Sequence, residues 1–280
     1  MQVTLNRRMF AIFLAMTAAL LCCRSVVVAT TRLAGDAAVS AAICPVVYPL
    51  DESSRRGYHY IFYGNAFFIN KQGYLITAAH VLTDFHDGGQ PHILLRLPEA
   101  PPRLLKVEVV ALDSQHDIAV LRAVSNPFEG KFQVACLPLA SDKPPRGAAV
   151  LAAALRPSRL KDPHAFDAPQ EDKSPAEVLQ YLSTKLDKGQ ADSELFLFSH
   201  EVLRGQSGAP VISRDAQEVV GIVEGRWLHS APLSSASTTG NRTPTLGAAI
   251  PITYALALLE KKQISWHTVS GSPECTDPRE

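Results

Sequence analysis

Neither sign of charge predominates in this 280-residue chain: 27 lysines and arginines balance 27 aspartates and glutamates. That balance removes the electrostatic case for nucleic acid or an anionic membrane surface as a partner. Cysteine is scarce, five residues in all, and no Cys-x-x-Cys pair offers zinc spacing. There is no internal repeat at a fixed short period, so the chain is not read as a repeat array. The uncharged apolar run Met9 to Leu21 has thirteen residues, short of the about 20 that a membrane-spanning helix needs.

That short run follows Arg7 and Arg8 and is followed by Val27 and Ala29 at a small-x-small spacing. A basic region, an apolar core and a cleavage site describe a secretory signal peptide over residues 1–29. An uncleaved N-terminal anchor is the alternative, because Val26 to Ala29 prolongs the apolar stretch past Arg24. The chain is therefore expected to be exported, periplasmic or secreted. Export leaves Cys44, Cys136 and Cys275 in an oxidising compartment, where at most one bridge forms within the chain.

Twenty prolines and sixteen glycines suit a turn-rich β protein. Tyr60 to Ile69, the turn Lys71-Gln72-Gly73, and Tyr74 to Thr77 read as a β-hairpin. Further strands are expected at Ile93 to Leu97, Lys106 to Leu112, Ile118 to Ala123, Ala148 to Leu155, Leu195 to Phe198, Pro210 to Ser213, Val219 to Glu224 and Ala248 to Ile252. Ile118 to Leu121 is continuously apolar and should be buried on both faces. Short strands at this spacing favour barrels or sandwiches. Two helices are predicted. Ser174-Pro175-Ala176-Glu177 is a capping box with proline at the first helical position, followed by Val178, Leu179, Leu182 and Leu186 at helical spacing. Thr253 to Gln263 carries Ala255, Leu256 and Leu259 on one face and Lys261-Lys262 near its end.

Three segments carry chemistry. Ser207 lies in Gly205-Gln206-Ser207-Gly208-Ala209-Pro210, downstream of Thr77-Ala78-Ala79-His80 and His116-Asp117-Ile118-Ala119. A serine hydroxyl needs a base within hydrogen-bond reach, and histidine titrates near the working pH. The imidazole in turn needs a carboxylate to set its tautomer. Ser207, His80 and Asp117 can fill these roles, and the N–H groups of Gly205 and Ser207 can bind a developing oxyanion. His116 is expected to face solvent, and Asp113 is the fallback acid. His86 and His92 lack the carboxylate or cysteine that would complete a metal site with His80, so no metal and no cofactor are expected.

These segments resemble the chymotrypsin-fold serine peptidases, most closely the bacterial high-temperature-requirement (HtrA/Deg) type. Gly73-Tyr74-Leu75-Ile76-Thr77-Ala78-Ala79-His80-Val81-Leu82, Ser114-Gln115-His116-Asp117-Ile118-Ala119-Val120-Leu121 and Gly205-Gln206-Ser207-Gly208-Ala209-Pro210-Val211 are similar to that family's histidine, aspartate and serine motifs. Val219 to Val223 and Ala248 to Ile252 resemble the strands that follow. The resemblance covers residues 58 to 262. It implies an all-β fold of two six-stranded antiparallel β-barrels with a C-terminal helix, the site lying between them. It also implies a serine endopeptidase working through an acyl-enzyme on polypeptide substrates. A non-catalytic peptide-binding or chaperone-like protein of the same fold is the alternative.

The departures matter as well. Gln206 replaces the aspartate that pairs with a newly cleaved N-terminus in the digestive enzymes, so that activation is not expected. Only 18 residues follow Lys262, too few for the peptide-binding module that HtrA proteins append. By analogy with the digestive enzymes, Glu201 stands at the floor of the specificity pocket, Val223, Glu224 and Gly225 form its wall, and Arg226 is near enough to neutralise Glu201. The likeness of Ala135-Cys136-Leu137-Pro138-Leu139 to the chymotrypsin inter-barrel linker implies a Cys44–Cys136 disulfide, with Cys275 as the competing partner. The domain reading is an N-terminal extension at 30–57, a peptidase domain at 58–268 with its barrel boundary near 136–146, and a disordered tail at 269–280. A membrane is contacted only through an uncleaved N-terminal anchor, and no feature of the chain states its oligomeric state.

Overall fold

A computed structural model describes residues 36–50, 60–83, 89–97, 100–156, 170–186, 192–228 and 245–269. The chain divides into two compact units, 1–37 and 38–280, and the fold below is that of the second. The signal segment, the Ser/Thr-rich stretch after Ser230, and Cys275 all lie outside the described residues.

Twelve strands close into two antiparallel barrels. The first contains β1 (Ile43–Pro49), β2 (Tyr60–Phe68), β3 (Tyr74–Ala78), β4 (His92–Leu97), β5 (Ala100–Asp113) and β6 (Ile118–Ala123), in the spatial order β1-β2-β3-β6-β5-β4. The second contains β7 (Ala149–Arg156), β8 (Gln170–Thr184), β9 (Ser193–Phe198), β10 (Pro210–Ser213), β11 (Val219–Leu228) and β12 (Thr245–Pro251), in the order β10-β11-β12-β9-β8-β7. A short helix, α1 (His80–Thr83), follows β3, and α2 (Ile252–Lys261) follows β12.

Local sequence explains much of this. In the β2–β3 hairpin the Asn70 side-chain oxygen accepts from Gln72 N at 3.1 Å and Tyr74 N at 3.2 Å, an Asx turn that asparagine makes readily. Ile118, Ala119, Val120 and Leu121 are all buried, because β6 is paired with both β3 and β5 and lies against the core. Helix α2 buries Ile252, Ala255, Leu256 and Leu259 on one face, as its 3.6-residue spacing requires.

Three sequence expectations are overturned. The capping box is not a helix start: Ser174, Pro175, Ala176 and Glu177 lie inside β8, paired with Ala152, Leu151, Val150 and Ala149 of β7. The pairing of β8 with β9 begins only at Val178↔Phe198. Pro175 therefore sits where one flank of β8 has no partner strand, and its missing N–H breaks no ladder there. The Ser174 hydroxyl donates to Asp172 Oδ1 at 2.7 Å instead of capping a helix. Two long neighbouring strands outweigh a local helical pattern worth a few tenths of a kcal/mol per residue.

The extension assigned to 30–57 contains β1, so the first barrel starts upstream of residue 58. Cys44, in β1 opposite Ala66, is a free buried thiol, which removes the Cys44–Cys136 pairing. Cys44 belongs to the apolar core, and burial pushes its thiol pKa up, so it lacks the thiolate that disulfide exchange needs.

Candidate active site

His80 and Asp117 come together because β3 and β6 are neighbours. Their register pairs Ala78 with Ile118, which brings the residues just beyond each strand end side by side. Asp117 has a φ of +54°, a left-handed conformation that aspartate tolerates better than most residues. Its backbone carbonyl accepts from Ala79 N at 3.0 Å. Its Oδ1 accepts from His80 N at 2.7 Å, and its Oδ2 lies 2.6 Å from His80 Nδ1. One carboxylate thus holds both the backbone and the ring of the histidine. The Asp117 side chain is 11% exposed and that of His80 42%, so the acid is enclosed while the imidazole opens to the cleft. With Nδ1 donating to the carboxylate, Nε2 is the nitrogen left to accept a proton.

The Ser207 loop reaches this corner from the second barrel. Ser207 O accepts from Asn65 N of β2 at 2.8 Å, and Gly208 N donates to Val223 O of β11 at 2.8 Å. At Gly64 the backbone approach is close: a Cβ there would lie 2.6 Å from Ser207 O and 2.8 Å from a methyl of Val81. Val81 follows His80 in α1, so β2, α1 and the serine loop meet at one point. The Ser207 hydroxyl donates to Glu224 O at 3.0 Å. The Glu224 carboxyl lies within electrostatic reach of both His80 and Asp117. Burial raises its pKa, His80 lowers it, Asp117 raises it, and the net direction is upward. The N–H groups of Gly205 and Ser207 make no hydrogen bond to any described residue, leaving two backbone donors available on this loop.

Two residues that hold the loop, Asn65 and Asp172, were not singled out from sequence. Asn65, fully buried, donates from Nδ2 to Gly205 O at 2.8 Å and accepts from Leu155 N at 3.0 Å. Its signal was present: a lone amide within the apolar run Tyr60 to Ile69, where an unpaired polar group is costly. Gln206 is also buried. Its Oε1 accepts from Leu203 N, and its Nε2 donates to Asp172 Oδ2 at 2.9 Å. Asp172 in turn lies 3.5 Å from Arg156 Nη2. Asp172 is invisible as a partner until β8 is recognised as a strand.

Of the remaining candidates, Val223 and Glu224 lie against the Ser207 loop, and Glu201 is engaged with a neighbouring cation. Glu201 lies 3.7 Å from Arg226 Nη1, with both side chains about half exposed, so Glu201 is not an isolated acid. Val223 is buried and Glu224 borders the His80–Asp117 pair, while a Cβ on Gly225 would meet nothing within 4 Å. His116 does not simply face solvent. Its Nδ1 is 2.7 Å from Asp113 Oδ2 and its ring stacks on Tyr254 of α2 at 4.0 Å. Asp113 is engaged there, and the carboxylate on His80 is that of Asp117. Among the described residues no group of three or more His, Cys, Asp and Glu is arranged to hold a metal. No helix among them is long and apolar enough to cross a membrane.

Known proteins share this architecture. The fold is similar to the Rv3671c protease of M. tuberculosis in its active form, with a TM-score of 0.55 at 18% identity over 87% of this chain and 89% of that one. It is similar to the MamO protease domain of Magnetospirillum magneticum, with a TM-score of 0.54 at 16% identity over 79% and 97% of the two chains. It is also similar to the HtrA-type protease AlgW bound to a decapeptide, with a TM-score of 0.55 at 15% identity over 82% and 66%. At these identities the likeness concerns the fold. No curated protein sequence matches the chain. Residues 64–222, more than half of the chain, match the trypsin-like peptidase domain, and this protein belongs to that family.

Proposed function

We propose that this protein is an exported serine endopeptidase in which Ser207 is the nucleophile, His80 the general base and Asp117 the residue that orients and charges-balances the imidazole. The observation that carries the reading is the double hold of Asp117 on His80, 2.7 Å to the backbone N and 2.6 Å to Nδ1, beside a serine on a loop packed into the same corner. In this scheme His80 Nε2 takes the Ser207 proton as Oγ attacks the scissile carbonyl carbon. The carbonyl oxygen, now an oxyanion, accepts from Gly205 N–H and Ser207 N–H. His80 then returns the proton to the leaving amine, the C–N bond breaks, and an acyl-enzyme remains. Water, deprotonated by His80, releases the acid. Before attack the Ser207 hydroxyl exchanges its bond to Glu224 O for one to His80; hydrogen bonds of this kind commonly tighten only when substrate is present.

Polypeptides are the substrate class, in keeping with the family. Export rests on the basic and apolar N-terminal segment, with either cleavage after it or retention as an anchor; N-terminal sequencing of the exported protein separates the two. A second reading, a peptide-binding protein without catalysis, draws on the resting bond of Ser207 Oγ to Glu224 O. Labelling with a fluorophosphonate probe decides between them. Stoichiometric labelling of wild type, absent from Ser207→Ala, supports the peptidase. Folded wild-type protein that stays unlabelled favours the binding protein.

A further inference from the structure

We propose that Asn65 is a positioning residue that ties the oxyanion-binding loop to the junction of the two barrels. The inference rests on the peptidase reading, because it concerns what holds Gly205 and Ser207 in place for that chemistry.

Asn65 lies in β2 of the first barrel and is fully buried. Its backbone N–H donates to Ser207 O at 2.8 Å, and its side-chain Nδ2 donates to Gly205 O at 2.8 Å. Its Oδ1 accepts from Leu155 N of β7, in the second barrel, at 3.0 Å. Its own carbonyl accepts from Thr77 Oγ1 at 2.6 Å. One residue therefore joins β2, β3, β7 and the serine loop.

The pattern of these bonds gives the role. The Ser207 N–H belongs to the Gln206–Ser207 peptide. The peptides on either side, Gly205–Gln206 and Ser207–Gly208, are those whose carbonyls Asn65 holds. The donor peptide is thus bracketed by two clamped planes. Gly205 has a φ of +91° and, with no Cβ, little intrinsic resistance to rotation. Its orientation must be imposed from outside. Gln206 supplies a second hold through Leu203 and Asp172, but the hold on Gly205 O from the first barrel goes through the Asn65 side-chain amide. Removing that amide leaves Gly205 O and Leu155 N without their partners in a buried place, which favours rearrangement of the loop.

An oxyanion donor acts on the transition state more than on bound substrate, so its misplacement lowers kcat while sparing KM. Asn65→Ala is expected to lower kcat by roughly 10- to 100-fold, somewhat less than outright loss of an oxyanion donor, with KM within about threefold. Binding of a peptide aldehyde, which forms a tetrahedral adduct, should weaken by a similar factor. Amide exchange across residues 203–208 should quicken, while that of Ile118–Leu121 stays as in wild type. Ile93→Val, a buried change in β4, serves as the stability control and should leave kcat and loop exchange unaltered. If Asn65→Ala does not fold, Asn65→Asp replaces it, since the carboxylate keeps an acceptor for Leu155 N–H and loses the donor to Gly205 O. A folded Asn65 variant with wild-type kcat and wild-type exchange at 203–208 overturns the proposal. So does a kcat loss that the control shares. Failure of the peptidase reading is recognised separately, by absent Ser207 labelling in wild type, and the exchange measurement still reports whether Asn65 holds the loop.

Discussion

His80 and Asp117 are fixed by two neighbouring strands of one barrel, whereas the Ser207 loop is fixed by residues of both barrels. The first corner needs only the β3–β6 pairing and one left-handed aspartate, and its hydrogen bonds span 37 residues. The serine corner depends on Asn65 of the other barrel, 140 residues from Gly205, and on Asp172 of β8. The His80–Asp117 pair is held within one barrel; the Ser207 loop is held by residues of both barrels. A perturbation of barrel packing should therefore reach the serine side first.

The largest expected effects test the union of the two corners. Ser207→Ala and His80→Ala should each lower kcat by on the order of 10⁶-fold, and the double variant should be no worse, because residues acting as one unit are not additive. A double variant far below either single one, in a peptidase assay with matched folding checks, would show that the corners act separately. Next comes Asp117→Asn, which leaves the shape of the corner and alters the imidazole tautomer. A kcat loss of about 10⁴-fold is expected, and a loss under tenfold would remove the carboxylate from the mechanism.

Stability then probes the serine corner. Gly208 has a φ of +79°, and a Cβ there would overlap Asn65 O and Thr77 Oγ1. Gly208→Ala should destabilise the fold by about 3 kcal/mol, combining backbone strain with a clash against backbone. An unchanged urea midpoint would mean that the loop is looser than its contacts imply.

The smallest effect concerns Glu224, which borders both corners. Its carboxyl pKa is raised in the folded state by burial, with His80 lowering it and Asp117 raising it. A raised pKa means that the folded protein binds the proton more tightly than the unfolded chain. The associated stability is complete below the ordinary carboxylate value and is lost as pH rises through the raised one. Glu224→Gln cannot ionise, so its melting temperature should gain on wild type as pH rises from about 4 to about 7. A difference that stays flat over that window would mean that burial does not hold the Glu224 carboxyl above its ordinary value.

The sequence was most readable where the physics is local. The β2–β3 hairpin, the doubly buried run Ile118–Leu121 and the apolar face of α2 follow from turn chemistry and periodicity, and the structure contains all three. The His80, Asp117 and Ser207 segments were visible as motifs with recognisable neighbours. It was least readable where a partner strand or a buried site decides. Residues 174–177 satisfy the local rules for a helix start, yet they pair with β7 and form part of β8. Cys44 looked available for a bridge and instead fills the first barrel as a buried thiol. Glu201 is paired with Arg226, the neutralising neighbour that the sequence offered, and only the folded chain sets that distance.

The amino-acid pattern alone carried the all-β class, the order of the His80, Asp117 and Ser207 motifs, and the absence of an aspartate at Gln206. These depend on residue identity and short-range periodicity, which the chain carries at each position. Tertiary contacts settled that β8 is a strand, that Cys44 stays free, and that Asn65 and Asp172 grip the Ser207 loop. Those outcomes depend on burial and on hydrogen bonds between residues far apart in the chain, and such partners exist only once the barrels have closed.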